Sequence, residues 1–171
     1  MNRVDDALRR GIETLEGGRG DPRRGLPEDV FLFVSRIVPL VNVDLLIQDD
    51  RSRTMLAWRD DEFFGPGWHV PGGIIRYKES AADRIRNCAR EELGADVSCD
   101  PAPLLVSETI RAQNTRGHFI SLLFRCRLVT APDDARWAAS DPPSPGHWRW
   151  HERCPPDLLE AQRPYARFFQ W

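Results

Sequence analysis

The residues best suited to chemistry lie in one stretch, GGIIRYKESAADRIRNCAREELGA, from Gly72 to Ala95. Ala81, Ala82, Ile85, Ala89 and Leu93 fall on one face of a helix predicted over 79–93, and Gly94 is its expected stop. Glu91 and Glu92 stand side by side in its last turn. Cys88 precedes them by three and four residues, so the three side chains are neighbours on the helix surface. Adjacent carboxylates at a helix C-terminus are unfavourable, because that end of the dipole is already negative. A hard divalent cation would offset the cost, and oxygen ligands suit Mg²⁺. Taken alone, Arg90-Glu91-Glu92 is equally the pattern of a solvated acidic turn. On these residues both readings stay open; upstream, a short strand, WHVPGG, runs into two glycines.

The surrounding elements must hold that turn in place. Residues 3–16 set Val4, Leu8, Ile12 and Leu15 at helical spacing, and GGRGDPRRG over 17–25 breaks the chain. Residues 1–25 are therefore expected to be an extension, packed on the domain or on a partner, and 26–171 a single domain. Pro27, Glu28 and Asp29 mark a helix start, with Phe31, Val34 and Ile37 along it and Pro39 at its end. LVNVDLLIQD over 40–49 reads as a buried strand interrupted by Asp44, and TMLAWR as its return. Strands are expected around 103–112 and 118–129 and at HWRW. A last helix is expected from Pro155 and Pro156 through Leu158, Leu159 and Ala161, followed by an aromatic tail that docks. Strands and helices mix without strict alternation, which predicts an α+β fold.

Composition excludes several classes. The formal net charge of −2 argues against a broad nucleic-acid surface, so any anion must bind locally. Lys78 is the only lysine; the other cations are arginines, which suit bidentate phosphate recognition. Cys88, Cys99, Cys126 and Cys154 include no CxxC pair, which argues against zinc. No signal peptide and no membrane-spanning run is read, and a reduced cytoplasmic compartment is expected.

The spacing Gly73, five residues, Glu79, then Glu91-Glu92-Leu93-Gly94 resembles most of the Nudix box. That resemblance implies a Nudix fold, a mixed sheet between helices (α/β/α), and a Mg²⁺-dependent hydrolase of nucleoside diphosphates linked to another group, with Mn²⁺ as the alternative ion. Two positions depart. Asn87 replaces the box arginine that normally holds the first Glu, so Glu79 needs another partner. Cys88 replaces a metal-ligating Glu, and a protonated thiol is a poor ligand for Mg²⁺. The resemblance implies ligation by the Gly72 carbonyl, Glu91 and Glu92, with fewer or weaker ions than a full box holds.

From about Leu26 to Arg167 the chain is most similar to the GDP-mannose mannosyl hydrolases, a branch that attacks the anomeric carbon and releases sugar and nucleoside diphosphate. Carried over, Arg59 contacts the diphosphate and Asp44 lies near nucleotide or sugar. Arg76 stands in for the arginine that this branch has at Ile74, and His118 matches a strand position. The branch places a histidine base where this chain has Pro145; His147, two residues on, is the nearest candidate. His69 and His151 read as packing or surface residues. The resemblance also implies a homodimer. Two other readings stay open: a conventional pyrophosphohydrolase, favoured by retention of both Glu91 and Glu92, and a nucleotide-binding protein that has lost catalysis.

Overall fold

The computed structural model describes residues 3–170. A mixed five-stranded sheet is its frame. Strand β1 (Leu40–Ile47) runs parallel to the long β7 (His118–Leu128), which lies at the centre. β7 pairs along its other side with β6 (Leu105–Ile110) and then β5 (Val97–Cys99). The free side of β1 carries β4 (Gly72–Ile74), antiparallel and at the sheet edge. A smaller antiparallel sheet has the order β3 (Gly67–His69), β2 (Thr54–Arg59), β8 (Trp148–His151).

Alternation along β1 divides the molecule. Val43, Leu45 and Ile47 face helix α3 (Ala81–Cys88) and meet Ile85, Cys88, Ala89 and Leu93 in one core cluster. Leu46 joins a second cluster with Trp58, Trp68, Leu158, Tyr165 and Phe169. Toward the start of β1 the same face carries Asn42 and Asp44, polar residues that line a cleft.

Ser80 caps α3: its hydroxyl oxygen accepts from the Asp83 N–H at 3.1 Å. Beyond Cys88 the helix widens into a π-helical turn, Ala89–Leu93, ending at Gly94 with φ 64°. The predicted helix and its glycine stop are thus present, but the wide turn changes the face that its acids share. Such turns concentrate at functional sites.

Helix α2 (Glu28–Val34) starts after Pro27, as its acids predict, and ends before Ile37. Helix α1 (Arg3–Gly18) leaves Leu8 and Ile12 exposed; the side chain of Val4, predicted to share that stripe, lies outside the description. The C-terminal helix expected through Leu158, Leu159 and Ala161 does not form. Leu158 bridges Trp68, and Glu160–Phe168 is a run of 3₁₀ turns containing Pro164, which has no N–H for a helical ladder. The aromatic tail docks through buried Tyr165 and Phe169; Trp171 lies outside the described residues. The short β5 was not anticipated.

Candidate active site

The cleft, about 540 Å³, wraps round the edge strand β4. Ladder register explains why. Leu45 N–H donates to the Pro71 carbonyl and Ile75 N–H to the Val41 carbonyl, which makes Asp44 and Gly72 a non-hydrogen-bonded pair. The Gly72 N–H and C=O therefore point away from β1, off the open edge. The N–H meets Glu92 Oε1 at 3.3 Å. A Cβ on Gly72 would lie 2.6 Å from Asp44 Oδ1 and collide with the Val43 carbonyl, so only glycine allows this approach. A Cβ on Gly73 would face α3 instead and meet Arg84 Nη2 at 2.6 Å and Cys88 Sγ at 2.8 Å.

Asp44 and Glu92 are the two carboxylates of the lining. Asp44 is 5% exposed and accepts a hydrogen bond from Tyr165 Oη. Burial pushes its pKa up to about 6, against the opposing pull of Tyr165, Ser121 and Arg59. Glu92 is pushed up to about 7, first by loss of water, with Asp44 adding repulsion and Arg59, Gly72 N–H and Arg84 opposing. Four guanidiniums face these two acids: Arg59, Arg76, Arg84 and Arg116. Such a surplus of positive charge suits an anionic ligand. Phe31, Phe64 and Phe119 give the cleft an apolar end, with the Arg116 guanidinium carbon 5.2 Å from the Phe64 ring centre.

The structure brings Asp44, Arg59, Gly72, Arg76 and Glu92 to the cleft. It does not place Glu91 in the lining. That carboxylate is exposed, with Oε1 3.3 Å from Arg76 Nη2 and Oε2 3.0 Å from Arg84 Nη2. His118 pairs with Glu108 at 3.0 Å and His147 lies in the loop just before β8; neither lines the cleft. Glu79 finds its substitute partner in Asn87 itself, whose Nδ2 donates to Oε1 at 2.8 Å, while Arg76 N–H donates to Oε2 at 2.9 Å.

Several lining residues had not been singled out from sequence. His69, read there as packing or surface, is buried in the lining, and burial lowers its pKa to about 3. Its Nδ1 lies 3.0 Å from the Val70 carbonyl, which can only accept, so the neutral ring carries its proton there and keeps a lone pair on Nε2. Arg84 lies one position before Ile85 and four before Cys88, on the apolar stripe of α3. A charge on that stripe was the available signal. Pro22 and Gly25, from the segment read as an extension, also reach the lining.

Among the described residues no three His, Cys, Asp or Glu side chains gather as a metal cage would require. The Cys88 thiol, raised to about 12 by burial, stays protonated, and Glu91 is engaged with two guanidiniums. A multi-ion centre therefore does not fit. Glu92 and the outward carbonyl of Gly72 are the groups that would hold a single cation here.

Comparison with known proteins places this geometry. The NUDIX domain model matches residues 38–171. The chain belongs to the Nudix family. It is 35% identical over 117 residues to the low-salt glycan biosynthesis protein Agl8 of Haloferax volcanii, covering 66% of this chain and 72% of that one. Its fold is similar to that of a diadenosine tetraphosphate hydrolase candidate from Jonesia denitrificans (TM-score 0.60, 20% identity, 77% of this chain and 92% of the other). A MutT Nudix hydrolase from Burkholderia pseudomallei is comparable (TM-score 0.59, 21% identity, 78% and 99%). The α+β Nudix fold read from the box is thus the one observed, and Nudix hydrolases generally use Mg²⁺ or Mn²⁺. No helix among the described residues is long and apolar enough to cross a membrane.

Proposed function

We propose that this Nudix hydrolase acts on a nucleoside diphosphate sugar, GDP-mannose-like, and releases free sugar and nucleoside diphosphate. The carrying observation is the composition of the cleft: four guanidiniums and two carboxylates beside an apolar end, in a volume within the range of small-molecule sites. The Haloferax relative is a glycan biosynthesis protein, which supports a sugar-linked substrate.

In this reading the diphosphate lies along Arg59, Arg76 and Arg84, which stabilise the charge it gains as leaving group. Water attacks the anomeric carbon, the C–O bond to the diphosphate breaks, and a cleft base takes the proton of the attacking water. Asp44, Glu92 and the Nε2 of His69 are the acceptors in the lining. His147 would have to enter from the loop before β8 to serve instead. Mg²⁺ or Mn²⁺ on Glu92 and the Gly72 carbonyl would add Lewis-acid stabilisation of the diphosphate. Homodimer formation belongs to the same reading, supported by the exposed Leu8 and Ile12 of α1 and by Phe33, Ile37 and Val38 around the end of α2; light scattering tests it.

The test is incubation with nucleotide sugars and Mg²⁺ in ¹⁸O water, with products identified by mass spectrometry. Label in free sugar, with unlabelled nucleoside diphosphate beside it, is the expected result. Label in a phosphate product would assign phosphoanhydride cleavage, the reading favoured by retention of both Glu91 and Glu92. Binding without turnover, in Mg²⁺ and in Mn²⁺, would assign a binding role.

A further inference from the structure

Arg84 is 8% exposed, on the buried face of α3, yet it borders the cleft. A buried guanidinium normally has its donors satisfied, because each unmade bond costs free energy. Here Nη2 reaches Glu91 Oε2 at 3.0 Å, while Nε and Nη1 have no partner. Glu91 cannot neutralise Arg84 by itself, since its other oxygen is held by Arg76. Arg84 thus holds buried positive charge and unused donors at a cleft that already carries an excess of arginine.

The location is specific. The guanidinium lies against Gly73, whose missing side chain makes room for it, and beside Cys88, Glu91 and the Gly72–Glu92 contact. Those residues are the ones that a full Nudix box would commit to metal ions.

We propose that Arg84 is a resident cation for the diphosphate of the ligand, doing by guanidinium hydrogen bonds what a second metal ion would do by charge, so that diphosphate binding does not require a divalent ion. The inference deepens the nucleotide-sugar reading and rests on it for the identity of the ligand. The planar fork of arginine suits two phosphoryl oxygens, whereas a carboxylate at residue 88 would have called for a metal. The three N–H groups on Nε and Nη1 are buried and have no partner within the protein, and a small shift of the side chain toward the cleft would turn them to the anion.

The test is calorimetric titration of the full chain with inorganic pyrophosphate, a probe without base or sugar, in excess EDTA. The wild type is expected to bind in EDTA. Arg84→Met should bind at least about thirtyfold more weakly, the loss typical of truncating one partner of a buried charge pair. Arg84→Lys, which keeps charge but not the fork, should fall between, and it serves alone if Arg84→Met fails to fold. Binding that vanishes in EDTA and returns with Mg²⁺, or affinities unchanged in both variants, would overturn the proposal. The two readings fail separately. Pyrophosphate bound through Arg84 without sugar release from any nucleotide sugar rejects only the substrate assignment. Sugar release by a protein that does not bind pyrophosphate in EDTA rejects only the role of Arg84.

Discussion

Tyr165 Oη donates to Asp44 Oδ2 at 2.6 Å, across 121 residues of chain. The C-terminal 3₁₀ run thereby holds the acid that lines the cleft, and Tyr165 itself packs in the second core cluster. Burial, and then Asp44 beside it, push the phenol's pKa well above its ordinary value, so it stays a donor at every physiological pH.

Replacing Asp44 should change how stability depends on pH. Its carboxyl is raised from 3.8 to about 6 in the folded chain. Between those values the folded chain holds a proton that the unfolded chain has released. The stabilising contribution is therefore complete below pH 3.8 and lost as pH rises through about 6. Asp44→Asn still accepts from Tyr165 and has no charge to bury. It should be more stable than wild type at pH 7.5, by up to about 3 kcal/mol, and equal to it near pH 4. Melting curves across that interval read the difference, and a gain that is the same at both ends would contradict the burial argument.

Gly72 and Gly73 should differ under the same substitution. A methyl at residue 72 meets the Val43 carbonyl, a fixed backbone atom; at residue 73 it meets the ends of the Arg84 and Cys88 side chains. Gly72→Ala is expected to cost about 2–4 kcal/mol, at or beyond the upper end of the usual range for one substitution. Gly73→Ala should cost less, displacing Arg84 and weakening pyrophosphate binding while the fold persists. Urea unfolding of the two variants, beside one titration of each, separates them.

Asn87→Ala removes the Nδ2 donor to Glu79 and leaves the Arg76 N–H as the remaining partner of that carboxylate. A loss of about 1 kcal/mol is expected, the ordinary value of one such bond. Faster amide exchange over 76–79 should accompany it. Unchanged exchange there would show that Asn87 does not hold the loop.

How much of this was legible depends on range. TMLAWR was read as a strand over 54–59, and β2 occupies those residues because its apolar run is local information. The box placed the glycine turn, α3 and Gly94 for the same reason. β5, three residues long, has too little pattern to see, and it forms because β7 offers it an edge. The C-terminal helix failed because apolar spacing over 158–161 resembles a helix, and the bridge from Leu158 to Trp68, a long-range contact, overrides it. The places of Arg84, His69 and Arg116 in the cleft are not legible in the sequence, because they arise from α3, β3 and the loop before β7 meeting β4 in space. A glycine pattern explains why backbone comes close, but not which side chain fills the gap.

Cys88 offers the last prediction. Its thiol is fully buried, packed with Ile85, Val43 and Leu93, and burial raises it to about 12. It should therefore resist alkylation in the folded chain and react only on unfolding. Cys88→Glu restores the residue of the full box but inserts a longer, charged group beside Glu91 and Glu92. A new ion pair with Arg84 would compete with Glu91 for Nη2. The variant should lose about 2–4 kcal/mol, the range for burying an imperfectly paired charge or overfilling a core. Its pyrophosphate binding in EDTA should weaken, because the new carboxylate takes Arg84 away from the ligand. Binding that becomes tighter in Mg²⁺ while stability holds would mean instead that residue 88 faces an ion, and that the thiol has displaced a ligand rather than filled the core.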